Sequence, residues 1–144
     1  MRLLLVLALV ACGAKSPRSA ANAKPTGPVL YDRIGRMDVI KDIVKDLVEE
    51  QLMKGSLAHH FTTVNTALLE DSIARQLCEL SGGPCKYTGR SMREAHASMT
   101  ISDADFAAFV TALRTSLAKF KIARPEQTEV VALVNKHKAE IVAQ

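Results

Sequence analysis

Seven imidazole and thiol side chains in this 144-residue sequence can ligate a metal or react through sulfur: His59, His60, His96 and His137, with Cys12, Cys78 and Cys85. Neutral imidazole binds iron, zinc or copper and changes charge near neutral pH. A zinc centre built from Cys78, Cys85 and His96 fits poorly, because the spacing is irregular and a fourth ligand is missing. Cys78 and Cys85 flank Ser81-Gly82-Gly83-Pro84. In an oxidising compartment they can pair, but a turn between them does not fix the Cα spacing a bridge needs. The simpler expectation is one buried helix Cys and one loop thiol. His59 and His60 precede Phe61 and read as surface residues, and His137, between Lys136 and Lys138, reads as solvated. Lys86, Arg90 and Arg93 form a basic cluster beside His96 that can pair with carboxylates or serve as a solvated rim.

These residues must be positioned by helices. Met37, Ile40, Ile43, Val44, Leu47 and Val48 recur at helical spacing and predict a helix over about 37–53, ended by Gly55. Leu69, Ile73, Leu77 and Leu80 predict a second over about 66–80, stopped by Gly82-Gly83-Pro84. Ser102 and Asp105 resemble a capping box for a third, which carries Phe106, Phe109, Leu113 and Leu117. Pro125 opens a fourth, reaching Val142. No segment alternates long enough for a strand, so the fold class is all-α. Length allows one domain. A net charge of +4 comes with alternating acids and bases, as in KDIVKDLVEE, and aromatics are only 4% of the chain. That pattern predicts a solvated surface and no nucleic-acid partner, which would want clustered bases with stacking aromatics.

The N-terminus has its own logic. Met1-Arg2 precedes a short apolar run that ends at Cys12, too short to span a bilayer. Leu9-Val10-Ala11-Cys12 resembles the lipobox of bacterial lipoproteins. That resemblance implies a signal peptide over 1–11, lipidation of Cys12, and anchoring to a membrane of the cell envelope through two or three fatty chains. Facing the periplasm is the expected orientation, with the outer membrane favoured by Gly13. Residues 12–28 then form the lipidated Cys and a flexible tether, and 29–144 the folded domain.

The folded part resembles the group I truncated haemoglobins, which place two helices over two around haem. The resemblance rests on Leu30-Tyr31-Asp32-Arg33-Ile34-Gly35, Phe61, Gly82-Gly83-Pro84, Tyr87-Thr88-Gly89, Met92 and Ala95-His96. It covers 29–144 without an obvious gap. It implies haem b, with His96 as the proximal ligand of the iron, a role that suits neutral imidazole. Phe61, Tyr87 and Met92 are then expected against the macrocycle, and the basic cluster near its propionates; His59 or His60, at the corner beside Phe61, could approach its edge, with surface exposure the expected outcome. A large apolar macrocycle at the centre would also explain the shortage of aromatics, and would make the haem-free form the less stable one.

The chain departs from its family on the distal side. Ungapped alignment places Val48 where many members have a Tyr. It places Leu69 and Ile73 at the distal positions of the second helix, Ile73 replacing a Gln. None of the three can donate a hydrogen bond. The resulting expectation is a gas-binding protein rather than an enzyme: a carrier, scavenger or sensor of oxygen, carbon monoxide or nitric oxide, holding oxygen loosely. A nitric oxide dioxygenase served by an unknown electron donor, and a globin-fold lipoprotein without haem, are the alternatives. Gln76, three residues past Ile73, would weaken this expectation if it turned inward.

Overall fold

The structure, a computed structural model, describes residues 27–142. The expected leader, Cys12 and nearly all of the tether lie outside the described residues. Every regular element among the described residues is helical, in agreement with the aliphatic periodicity.

α1 (Leu30–Arg33) leads into α2 (Arg36–Asp46), which continues without a break as a π-helical turn, Leu47–Leu52. The Met53 amide donates to the Val48 carbonyl at 3.0 Å, closing that wide turn. The predicted helix over 37–53 therefore exists, but a π turn takes up one more residue than an α turn and rotates the side chains that follow. Ile40, Ile43, Val44, Leu47, Val48 and Leu52 are almost completely buried.

α3 (Thr66–Leu80) matches the second predicted helix. Asn65 caps it, its Oδ1 accepting from the Leu68 amide at 3.1 Å. At the other end Gly82 takes φ +87°, a conformation glycine adopts without penalty, and the Gly83 amide donates to the Cys78 carbonyl at 2.8 Å. α4 (Met92–His96) is short, and α5 (Asp103–Lys119) starts at the predicted Ser102–Asp105 capping box. The predicted last helix is interrupted: α6 (Arg124–Asn135) and α7 (Lys138–Ile141) are separated by a turn at Lys136-His137.

α2 packs on α3, and α5 on α6. The α2 rod and its π turn also lie against α5, while α4 meets α7. This is the expected two-over-two sandwich. Arg33 fastens α1 to α6 through Glu126 and Glu129, at 2.8 and 2.5 Å.

One charge is not on the surface where the alternating KDIVKDLVEE pattern would put it. Asp46 is 5% exposed, accepts from Ser116 Oγ at 2.8 Å and pairs with Lys119. Burial pushes its carboxyl pKa upward, but the bonds from Lys119 and Ser116 outweigh that and hold it below the ordinary carboxylate value. No helix among the described residues is long and apolar enough to cross a membrane.

Candidate functional site

The helices enclose a cavity of about 630 Å³, within the span of clefts that hold cofactors. Its walls are mainly aliphatic and aromatic. Val44 and Leu47 come from the α2 rod, Phe61 from a 3₁₀ turn (Ala58–Phe61), and Leu69, Ile73 and Leu77 from α3. Phe106, Phe109 and Leu113 come from α5, and Val130, Leu133 and Val134 from α6. At the mouth, Val64 and Leu68 line the cavity while remaining exposed, Leu68 at 67%.

His96 stands at the end of α4 and lines this cavity. Its Nδ1 lies 2.8 Å from the Met92 carbonyl one turn earlier. A carbonyl only accepts, so Nδ1 carries the proton and Nε2 keeps its lone pair, the tautomer a metal ligand requires. The helix that presents it is fixed locally. Ser91 Oγ accepts from the Glu94 amide, and the Glu94 carboxylate accepts from the Ser91 amide at 2.9 Å and its hydroxyl at 2.7 Å. These bonds from Ser91 hold the Glu94 carboxyl below its ordinary pKa. The Ser-x-x-Glu spacing of this capping box stands in the sequence, and it is the signal by which α4 could have been placed in advance.

The segment leading into α4 is pinned at both ends. Cys78 and Cys85 are joined in a disulfide, with Cα atoms 5.8 Å apart. This corrects the expectation of one buried Cys and one free loop thiol: the Gly-Gly-Pro turn folds the loop back against the end of α3, which brings the two backbones within bridging distance. Further along, the Tyr87 amide donates to Glu79 at 3.1 Å and the Tyr87 hydroxyl to the Arg90 carbonyl at 2.8 Å. Gly89 lies beneath that phenol ring, and any Cβ there would overlap it.

Six of the seven residues expected around the macrocycle line the cavity: His96, Phe61, Tyr87, Met92, Leu69 and Ile73. Val48 does not. It is fully buried in the helical core, and Val44 and Leu47 of the same rod face the cavity instead. The π turn over Leu47–Leu52 sets which side chains of this rod face the cavity, and an ungapped sequence alignment carries no information about such a turn. Of the basic cluster, Arg90 lines the cavity, whereas Lys86 pairs with Glu79 at 3.6 Å. Gln76 also lines the cavity, its amide donating to Met92 Sδ at 3.3 Å. His137, expected to be solvated, is half-buried on the cavity wall with Nδ1 3.3 Å from Glu140. His60, expected on the surface, also lines the cavity, while His59 is exposed. His137 carries no local sign of this in the sequence, whereas His60 stands at the corner beside Phe61, from which one of the two adjacent histidines can reach the cavity.

A small two-over-two helical sandwich, closed around an apolar cavity with an imidazole poised to coordinate, has the architecture of a truncated globin. The chain belongs to the bacterial-like globin family, which matches residues 29–143. It is 26% identical over 98 residues to a group 1 truncated haemoglobin of Tetrahymena thermophila, covering 66% of this chain and 78% of the relative. It is 28% identical over 89 residues to one from a Nostoc species, covering 62% and 75%. In structure it resembles the Fe(III) form of the Tetrahymena pyriformis truncated haemoglobin, with TM-score 0.77, 20% identity, and 81% of this chain and all of that one covered. The 2/2 haemoglobin of a Synechococcus species, in the cyanomet state with covalently attached haem, matches at TM-score 0.74 and 21% identity, with the same coverage.

Proposed function

We propose that this chain binds haem b through His96 and serves to bind a small diatomic gas reversibly. The single observation that carries the reading is the imidazole on the cavity wall whose Nδ1 is committed to the Met92 carbonyl, leaving Nε2 as the ligand atom. The cavity's volume and its apolar walls fit the macrocycle. Haem held by His96 would supply an iron able to bind a small diatomic gas.

The chain's own residues do the rest. Met92, Tyr87 and Phe61 line the cavity and would pack against the macrocycle. Arg90 is the cation placed to pair with a propionate. Leu69 and Ile73, with Val44 and Leu47, exclude water from the distal side and offer no hydrogen-bond donor. That wall favours a carrier, scavenger or sensor with loose oxygen binding. The Gln76 amide also lines the cavity, and its bond to Met92 Sδ draws it away from the role of donor.

The experiment is spectroscopic. The lipid-free chain from Gly13, purified with added haem, is expected to show a Soret band that shifts between ferric, ferrous and carbonmonoxy forms. His96→Ala should abolish the histidine-ligated ferrous spectrum. No Soret band, or spectra unchanged by His96→Ala, would overturn the proposal.

Export and lipid anchoring at Cys12 belong to the same reading. The Leu9–Cys12 motif supports them, and so does the Cys78–Cys85 bridge, a bond that persists in oxidising compartments. Labelled fatty acid should be incorporated by the parent chain in a bacterial host and not by Cys12→Ala; equal labelling would reject the anchor.

A further inference from the structure

We propose that His59, His60 and Asp105 form a binding site for a divalent transition-metal ion of the zinc class, at the rim of the cavity and separate from His96. One ligand atom from each of the three lies within 4.8 Å of the other two. Zinc bonds to imidazole and carboxylate of about 2.0–2.2 Å set tetrahedral donor atoms about 3.4 Å apart, so small side-chain rotations close the set.

Each member is prepared for this in a different way. His59 Nδ1 lies 3.1 Å from the Ser56 carbonyl, which fixes the proton there and leaves Nε2 as a lone-pair donor. His60 Nε2 is buried with no hydrogen-bond partner, an arrangement that native proteins seldom leave uncompensated. It sits 3.9 Å from Asp105 Oδ2, and the two imidazole rings are 3.9 Å apart. The Ser102 cap engages Asp105 through Oδ2, at 2.9 Å from the amide and 2.6 Å from the hydroxyl, and so fixes the carboxylate at the start of α5.

The donor set is two nitrogens and one oxygen, which suits zinc or copper(II) better than magnesium or calcium. Exposed His59 gives the ion a route in from solvent, and water completes the coordination. A bound ion joins the 3₁₀ turn that carries Phe61 to the start of α5, cross-linking two walls of the cavity.

The test titrates zinc chloride into the tag-free, haem-loaded chain by calorimetry. One ion per chain is expected. His59→Gln and His60→Gln should each weaken binding by at least about tenfold. Asp105→Asn, which keeps an acceptor for Ser102, should weaken it as well. Ser102→Ala removes the cap without removing a ligand and should leave the affinity near the parent's, as should His137→Gln. Far-ultraviolet circular dichroism checks that each variant folds, independently of haem. No binding at hundredfold excess of zinc, or an affinity unmoved by His60→Gln in a folded variant, overturns the site. Either outcome leaves the haem proposal untouched, because His96 takes no part.

Discussion

The two walls of the cavity are built on different principles. The proximal wall is held by short-range polar bonds: the Ser91–Glu94 capping box, the Tyr87 hydroxyl on Arg90, the His96 ring on Met92, and a covalent bridge at Cys85. The distal wall has almost none of these. It is aliphatic side chains from α2 and α3 packed across a long sequence separation, steadied from behind by Asp46 with Ser116 and Lys119. Local bonds fix orientation, as a ligand imidazole needs. Packing fixes shape and dryness, which a gas pocket needs.

The largest effect should come from cutting the covalent element of the first wall. Cys78→Ser with Cys85→Ser releases a loop of about eight residues, worth about 2–3 kcal/mol of stability on chain-entropy grounds. The expected result is a melting temperature lower by about 10 °C, matched by reducing the parent protein and absent when the double variant is reduced. An unchanged melting temperature would mean that polar bonds alone hold the proximal segment.

Next in size is the buttress of the distal wall. Asp46→Asn should destabilise the fold by about 1–3 kcal/mol at neutral pH, because a buried charged hydrogen bond is lost. The pH dependence has a definite sign. The folded-state pKa of Asp46 is depressed, so its contribution is present above the ordinary carboxylate pKa and is lost as pH falls through the lower folded value. Urea unfolding of parent and variant should therefore converge in acid; a gap that persists at the lowest pH would show that the loss is packing rather than charge.

The smallest expected change sharpens the functional side of the comparison. Ile73→Gln places a donor on the dry wall. One added hydrogen bond of about 1–1.5 kcal/mol should slow oxygen dissociation from the ferrous protein by about tenfold, with little effect on carbon monoxide. A parent that already releases oxygen slowly would show that Gln76 or another group donates after all.

How far the sequence could be read follows the same division. Locally encoded features were legible: α3 between Asn65 and the Gly-Gly-Pro turn, α5 from Ser102, and His96 within a motif. Features set by distant packing were not. Val48, set on the distal side by ungapped alignment with the family, lies in the helical core at the π turn Leu47–Leu52. Asp46 looked like one more solvated charge until α5 supplied Ser116 and Lys119 from seventy residues away. His137 turns inward only because a chain reversal carries it to the cavity. The Cys78–Cys85 bridge runs against the expectation of unpaired thiols for a related reason, since residue spacing does not report how tightly a turn folds back.

That bridge has a consequence for assembly. It joins the end of α3, whose body carries Leu69 and Ile73, to the strand of chain that delivers His96. Before any cofactor arrives, the two faces of the pocket are already held near one another, and their mutual concentration is set by a short span rather than by the whole chain. Capturing a flat ligand then resembles closing a hinged pair of jaws more than gathering distant parts.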